Sequence, residues 1–172
     1  MKKMKRLVAV LLAGVMALAM LTACGGGSFT PTSDVEKAEA LYMDAYNTAL
    51  GTNYENDADL EKLAKQVLDD SLDEDGNLKN GQKMTSKKYE GITAWTTFTI
   101  LAQPGNENVP YGITSKELAE TLANKDKAIA EVRSNFGKMG VTKETTTGLA
   151  VGAVKKGDKV YVAIAVKTER KK

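Results

Sequence analysis

The 172-residue chain contains no histidine and a single cysteine, Cys24. Without histidine it has no Ser–His or Cys–His nucleophile pair and no histidine-based zinc site. One cysteine cannot form an intramolecular disulfide or a cysteine-rich metal site. No serine begins an S-x-x-K motif, so a Ser–Lys nucleophile also lacks support. The sequence therefore favours a protein that is not an enzyme, and it predicts neither a cofactor nor a metal ion.

Acidic residues are missing from the first part of the chain, where none precedes Asp34. Residues 1–6 hold four of the 24 basic side chains, so removal of residues 1–23 leaves 20 basic side chains against 22 acidic ones, a net charge of −2. Binding to nucleic acid requires a basic patch that attracts phosphate. We therefore expect no nucleic-acid partner.

A short apolar run, residues 7–21, follows the basic segment. Its 15 residues fall short of the roughly 20 that a permanent membrane span needs. A basic segment followed by such a run is typical of a secretory signal peptide. We therefore predict that residues 1–23 are a signal peptide and that the mature protein is extracytoplasmic.

The apolar run ends in the sequence Leu-Thr-Ala before Cys24, and three glycines follow. This segment resembles the lipobox of bacterial lipoproteins. The resemblance implies that a peptidase cuts before Cys24 and that the thiol and the new amino terminus are acylated. Two or three chains such as palmitate hold a protein at a membrane, because each buried methylene contributes roughly 0.8 kcal/mol. The alternative is an ordinary signal peptide with a cysteine at its cleavage site.

Residues 24–33, CGGGSFTPTS, are rich in glycine and serine, which indicates a flexible tether. Nine residues in an extended conformation span at most about 30 Å. We therefore expect the folded domain, residues 34–172, to stay close to the membrane surface.

Two amphipathic helices are predicted at the start of this domain. The first has Asp34 as its N-cap and ends at Gly51, and the second has Asp57 as its N-cap. Apolar residues recur at helical spacing in both: Val35, Ala38, Leu41, Tyr42, Ala45 and Ala49, then Leu60, Leu63, Ala64, Val67 and Leu68. The polar, glycine-containing residues 69–83 indicate a loop.

A strand is predicted for residues 92–101, which are mostly β-branched or aromatic. We expect Trp95 and Phe98 to pack in the core, where large aromatic side chains bury most area. Residues 103–112, which follow the strand, are predicted to be irregular.

Two further helices are predicted in the second half of the domain. Thr114 and Glu117 form a capping box that opens the first of them. Residues 127–136 form the second, which we expect to end at Gly137.

The C-terminal residues predict an antiparallel hairpin with strands at 147–154 and 159–167. Apolar residues occupy both faces of the second strand, so we expect both faces to be covered. Helices followed by such a sheet indicate an α+β fold or a three-layer α-β-α arrangement.

Three segments of the chain carry a further resemblance. Residues 47–65 contain a helix end near a glycine, a short loop, and a second helix that begins with an acid and a leucine. Residues 105–122, GNENVPYGITSKELAETL, contain a Glu-Asn-aliphatic motif, a Tyr-Gly pair and a capped helix. These segments and the hairpin at 148–166 resemble CAP domains, the superfamily of cysteine-rich secretory proteins, antigen 5 and pathogenesis-related proteins. The resemblance implies a three-layer α-β-α sandwich with a mainly antiparallel central sheet and a cleft.

The CAP resemblance implies that Glu107, Asn108 and Tyr111 lie at this cleft. Many CAP domains line the cleft with two histidines and two glutamates that can bind a divalent metal. Only Glu107 matches that set, and the second carboxylate position falls at Asn124 or Lys125, so we expect no metal site of this kind. Glu107 either faces a ligand in the cleft or braces the loop before the next helix.

Three hypotheses for function remain open. The first is a membrane-anchored, non-catalytic CAP-like domain that binds a small hydrophobic ligand, a peptide or an envelope protein. The second is a cell-envelope hydrolase that uses carboxylates near Glu107. The third is a purely structural surface lipoprotein. The absence of histidine from the sequence favours binding or a structural role over catalysis.

Overall fold

The computed structural model of the chain describes residues 31–79, 87–90, 94–139 and 141–169. It describes the side chains in these ranges except those at 87–90, 94, 107 and 134–139. The predicted signal peptide, Cys24 and residues 25–30 of the predicted tether lie outside the described residues. Within the described part, no helix has the length and apolar character that crossing a bilayer requires.

The first helix, α1 (Asp34–Leu50), is capped one residue earlier than the sequence predicts. The Ser33 hydroxyl accepts a hydrogen bond from the Glu36 N–H, and the Glu36 carboxylate accepts one from the Ser33 N–H. The prediction of Asp34 as N-cap is wrong because Ser33 and Glu36 form a complete capping box. Gly51 ends the helix at φ 66°, as predicted.

The second helix, α2 (Ala58–Ser71), begins after Asp57, which confirms the predicted cap. The Asp57 carboxylate accepts hydrogen bonds from the N–H groups of Asp59 and Leu60. The helix continues through residues 69–71, so the predicted loop is too long at its start. Of the apolar residues at helical spacing, Ala64, Val67 and Leu68 are buried, whereas Leu63 is 46% exposed.

Two consecutive helices occupy the second half of the domain. The third helix, α3 (Ser115–Ala123), opens with the predicted capping box of Thr114 and Glu117. The fourth, α4 (Lys125–Met139), runs through Gly137, where the sequence predicts an end. A glycine inside a helix costs only about 1 kcal/mol relative to alanine, so Gly137 alone does not end this helix.

The described residues also form seven strands. They are β1 (Lys87–Glu90), β2 (Ala94–Ile100), β3 (Ala102–Gln103), β4 (Asn106–Pro110), β5 (Ile113–Thr114), β6 (Thr146–Lys156) and β7 (Lys159–Glu169). The β3–β4 pair is a small separate hairpin with Gly105 at φ 81° in its turn. The prediction that residues 103–112 are irregular is therefore wrong for most of this segment.

The β7 strand lies at the centre of the main sheet, and every pairing in that sheet is antiparallel. The β6 strand pairs with one edge of β7, and β2 and β5 pair with different parts of its other edge. The β1 strand lies outside β2. The predicted C-terminal hairpin is confirmed, with strands longer than expected and a turn at Gly157 and Asp158. The chain is a mixed α+β protein with an antiparallel sheet.

Alternate side chains of β7 enter two hydrophobic cores, as the sequence predicts. Val160, Val162, Ile164 and Val166 join the buried residues of α1, α3 and α4. Tyr161, Ala163 and Ala165 join those of α2 and β2. Because side chains alternate across a strand, helices lie against both faces of the sheet. Phe98 is buried as predicted, whereas Trp95 is only half-buried.

Candidate functional site

The β3–β4 hairpin carries residues that the sequence predicts for the cleft. The sheet holds its base: the Leu101 N–H donates to the Val162 carbonyl at 2.8 Å, and the Tyr111 N–H donates to the Leu101 carbonyl at 2.8 Å. Asn108 is exposed on β4, and the neighbouring Val109 is 39% exposed. The hairpin therefore presents an amide and an aliphatic side chain to solvent from a fixed base.

Glu107, the third predicted cleft residue in this region, contributes its backbone to β4. Its side chain lies outside the part of the chain that the structure describes. Whether Glu107 contacts a ligand or braces the loop therefore stays a prediction.

Tyr111 follows the hairpin and packs half-buried against the core of α1, α3 and α4. Burial raises the pKa of its hydroxyl, and the nearby carboxylates of Glu117 and Glu131 raise that pKa further. Burial also raises the pKa of Glu131. Tyr111 is therefore a neutral hydrogen-bonding group near pH 7, because a raised pKa disfavours the phenolate.

Glu117, a carboxylate close to Tyr111, is used to stabilise the start of α3. It accepts hydrogen bonds from the Thr114 N–H at 2.9 Å and from the Thr114 hydroxyl at 2.7 Å. These hydrogen bonds hold the pKa of Glu117 below its ordinary value. A general acid near neutral pH needs a raised pKa, so Glu117 is poorly suited to that role.

A polar cluster that the sequence did not predict covers part of the outer edge of β6. We call Glu39, Asn56, Glu61 and Lys65 the edge cluster. Asn56 accepts a hydrogen bond from the Val151 N–H at 2.8 Å and donates one to the Val151 carbonyl at 3.0 Å. The Ala153 N–H donates to Glu39 Oε1 at 2.8 Å. Edge strands otherwise offer such groups to other strands, so these side chains take the place of a neighbouring strand.

Lys65 links the carboxylates of the edge cluster. Its Nζ lies 2.9 Å from Glu39 Oε1 and 2.6 Å from Glu61 Oε1. Burial raises the pKa of Glu39, and hydrogen bonds from Lys65 and the Ala153 N–H limit that rise. Burial lowers the pKa of Lys65, but hydrogen bonds to Glu61 and Glu39 outweigh it and leave that pKa raised. Lys65 is therefore held as a charged amine, whereas a nucleophile needs the neutral form.

Asp73, one of the acidic residues after α2, accepts hydrogen bonds within a turn. Asp73 Oδ1 accepts hydrogen bonds from the N–H groups of Asp75 and Asn77 at 3.0 and 2.8 Å. Lys156 Nζ lies 2.9 Å from Asp69 Oδ1 and neutralises part of the charge. Among the described residues, no group of three or more potential metal ligands occurs. The hydrogen bonds and the ion pair give Asp73 and Asp69 a structural explanation, whereas the side chains of Glu74 and Asp75 are exposed.

Asn108 and Tyr111 lie on one short stretch next to the edge of β7 that pairs with β2 and β5. The edge cluster lies at the opposite edge of the sheet, outside β6. The hairpin surface offers hydrogen bonding and apolar contact, and the edge cluster offers charges already paired with each other.

Comparison of the chain with protein-family models, with curated proteins and with solved structures found no match.

Proposed function

We propose that the chain is a membrane-anchored extracytoplasmic lipoprotein whose CAP-like domain binds a small hydrophobic ligand, a peptide or an envelope protein without catalysing a reaction. The observation that carries this proposal is the β3–β4 hairpin, which exposes Asn108 and Val109 from a base fixed to the sheet. Binding sites combine apolar surface with a few placed polar groups. Val109 supplies apolar surface and Asn108 a polar group, on opposite faces of β4, because successive side chains alternate along a strand.

The order and packing of the elements support the CAP-like, three-layer α-β-α arrangement. The α2 helix packs in one core, and α1, α3 and α4 pack in the other, on the opposite side chains of β7. Two helices precede the sheet, two more follow the β3–β4 hairpin, and an antiparallel hairpin closes the chain. The resemblance of residues 47–65, 105–122 and 148–166 to CAP domains implies an opening pair of helices, a capped helix after the Glu-Asn-aliphatic motif and a terminal hairpin.

The chemistry of the described residues favours binding over catalysis. The sequence has no histidine. Hydrogen bonds to Thr114 engage Glu117, and two carboxylates hold Lys65. Acid–base catalysis near pH 7 requires a group whose pKa lies near that value and that can reach a substrate. These side chains instead stabilise a helix terminus and a sheet edge.

Binding at the hairpin is tested with full-length protein purified from the producing cells. Compounds that co-purify are extracted and identified by mass spectrometry for the wild type, Asn108→Ala and Val109→Asp. Lys143→Ala is the matched control, because Lys143 is exposed and lies outside the hairpin. We expect both hairpin variants to lose a compound that the wild type and the control retain. Equal retention in all four proteins, or retention in none, contradicts a ligand site on the hairpin.

The hydrolase hypothesis is tested on cell-envelope material. It requires that the purified wild type degrades this material and that Glu107→Gln abolishes the activity while circular dichroism shows an unchanged fold. We expect no degradation by either protein. Activity that depends on Glu107 would replace the binding proposal with an enzymatic one.

A further inference from the structure

Three polar side chains from separate parts of the chain meet at the core that α1, α3 and α4 share. Tyr42 lies on α1 and is only 2% exposed. Tyr111, which follows the β3–β4 hairpin, packs half-buried against the same core. Glu131 lies on α4, next to Val132, whose side chain is buried in that core. The fold therefore brings two phenol hydroxyls and one carboxylate into one region.

Electrostatic effects show that these three groups are near one another. Burial raises the pKa of Tyr42, and the Glu131 carboxylate and Tyr111 raise that pKa further. The pKa of Tyr111 is likewise raised by burial, by Glu117 and by Glu131. Charges shift a neighbouring pKa noticeably only at short range. We call Tyr42, Tyr111 and Glu131 the phenol–carboxylate cluster.

None of the three groups has a hydrogen-bond or ion-pair partner within the part of the chain that the structure describes. Burial raises the pKa of Glu131, and the charge of Lys127 is the one effect that opposes this rise. Buried polar groups in proteins normally have a partner, because burial without one is costly. The phenol–carboxylate cluster is therefore available to a partner from outside the chain.

The cluster also keeps a connection to the surface. Among the described residues, no side-chain oxygen is both fully enclosed and without a hydrogen-bond partner. Since the Tyr42 hydroxyl has no partner, it is part of the small surface that Tyr42 retains. Tyr111 and Glu131 are each only partly buried. A small group can therefore approach all three oxygens from solvent.

Backbone and ion-pair contacts fix the elements that carry the cluster. The Tyr111 N–H donates to the Leu101 carbonyl at 2.8 Å, which holds Tyr111 at the base of the hairpin. Lys125 Nζ, at the start of α4, lies 2.7 Å from Asp44 Oδ2 on α1. The two helices that supply Glu131 and Tyr42 are therefore joined beside the cluster.

The chemistry of the cluster suits a cation that carries N–H donors. The Glu131 carboxylate would repel an anion, and a ligand that offers only a carbonyl would leave this carboxylate without a partner. A primary ammonium group has three N–H donors, and the cluster offers a carboxylate and two phenol oxygens as acceptors. Hydrogen bonds between charged groups are the stronger kind.

The other charged groups near the cluster do not change this preference. The Glu117 carboxylate is negative and already accepts hydrogen bonds from Thr114. Lys127 is exposed, so solvent and salt screen its charge more than that of the partly buried Glu131. The charge that faces the two phenol groups from α4 is therefore negative.

We propose that Tyr42, Tyr111 and Glu131 form a binding site for the primary ammonium group of an organic amine. The Glu131 carboxylate balances the positive charge, and the phenol oxygens accept hydrogen bonds from the remaining N–H groups. The exposed Asn108 and Val109 are not part of this site. The site therefore does not depend on whether the hairpin binds a ligand.

The experiment is a titration of the full-length protein in detergent with butylammonium chloride, followed by NMR. The six tyrosines carry ¹³C at the ring carbon that bears the hydroxyl. Tyr→Phe variants at positions 42, 111 and 161 assign the three signals that matter. We expect the signals of Tyr42 and Tyr111 to shift until they saturate. The signal of Tyr161, which lies in the other core, is expected to stay in place.

Two further probes and two variants define the recognition. Butanol has the same alkyl chain without a charge, and tetramethylammonium has the charge without N–H donors, so we expect neither to give a saturable shift. Glu131→Gln is expected to weaken the binding of butylammonium about tenfold or more, because it removes a charged acceptor. Glu120→Gln, which changes an exposed acid on α3, is expected to bind as the wild type does.

Several results would overturn the ammonium site. They are an equal response to butanol or tetramethylammonium, and full affinity in Glu131→Gln. The Tyr161 signal of Glu131→Gln must match that of the wild type, which shows that the variant is folded. A wild type without any saturable shift would mean that the three groups hydrogen-bond to water only, and that result also excludes the site. None of these results bears on the hairpin ligand, which the co-purification experiment tests separately.

Discussion

Lys65 Nζ lies 2.9 Å from Glu39 Oε1, although the two residues belong to helices that pack on opposite faces of the sheet. This ion pair reaches around the outer edge of β6, where Glu39 also accepts the Ala153 N–H. The edge cluster therefore connects both helical faces to the strand whose backbone it covers. Unpaired edges invite strand addition from other chains, so this cover also limits self-association.

Asn56→Ala should destabilise the domain, because it leaves the N–H and carbonyl of Val151 without their partner. Each buried backbone group that is left without a hydrogen-bond partner costs about 1–3 kcal/mol. We therefore expect the free energy of unfolding to fall by at least that amount. Urea denaturation of both proteins measures it. Asn53→Ala is the matched control, since Asn53 is exposed in the same loop. Equal stabilities for the two variants would contradict a structural role for Asn56.

Gly152→Ala should also destabilise the domain, because α2 passes directly over this glycine. A Cβ at position 152 would lie 2.7 Å from the Glu61 carbonyl oxygen and 2.9 Å from the Lys65 backbone nitrogen. Overpacking of this kind costs about 1–3 kcal/mol. In Gly148→Ala, on the same strand, the nearest atom is a Lys167 side-chain carbon at 3.4 Å. Thermal unfolding should therefore give a clearly lower Tm for the first variant than for the second.

Glu39 should give the domain a specific dependence on pH. Burial raises its pKa in the folded state above the ordinary value of 4.5, so the folded chain holds the Glu39 proton more tightly than the unfolded chain. The resulting stabilisation is present below pH 4.5 and is lost as pH rises through the raised pKa. The stability of the wild type relative to Glu39→Gln should therefore fall as pH rises from acidic values to neutrality.

Denaturation of the wild type and of Glu39→Gln at several pH values measures the difference between their free energies of unfolding. Glu55→Gln is the control, because Glu55 is exposed. A difference that grows with pH would mean that the ion pair with Lys65 outweighs the burial of Glu39.

Thr114→Ala should weaken the start of α3. It removes the hydroxyl that bonds the Glu117 N–H and carboxylate, and loss of such a cap costs about 1 kcal/mol. Hydrogen exchange of the first turn of α3 measures the local effect. Lys116→Ala, which changes a highly exposed side chain in the same turn, should leave that exchange nearly unchanged. Equal protection in both variants would show that the capping box contributes little.

Local signals in the sequence predict the elements that local interactions determine. The cap at Asp57 and the capping box at Thr114 correctly give the starts of two helices. The alternation along β7 correctly predicts a strand buried on both faces. Asp34 fails as a cap only because Ser33 and Glu36 satisfy the same backbone groups one residue earlier.

The remaining features depend on contacts between distant parts of the chain. The β3–β4 hairpin could have been suspected from the Pro104-Gly105 pair, which is a turn signal. The edge cluster could not, because Asn56 and Val151 are 95 positions apart and only the fold brings them together. The CAP resemblance predicts a cleft around Glu107. Because the side chain of Glu107 lies outside the described residues, this cleft stays a prediction.

The most direct test of the account is the intact mass of the protein purified from the membranes of cells that express the full chain. We expect the mass of residues 24–172 plus two or three acyl chains with their glycerol linkage, and tandem fragmentation should place them on Cys24. Cys24→Ala should yield no acylated protein. A wild-type mass that matches the uncut chain, or a product cut at another position and without acyl groups, would contradict a domain held at a membrane through Cys24.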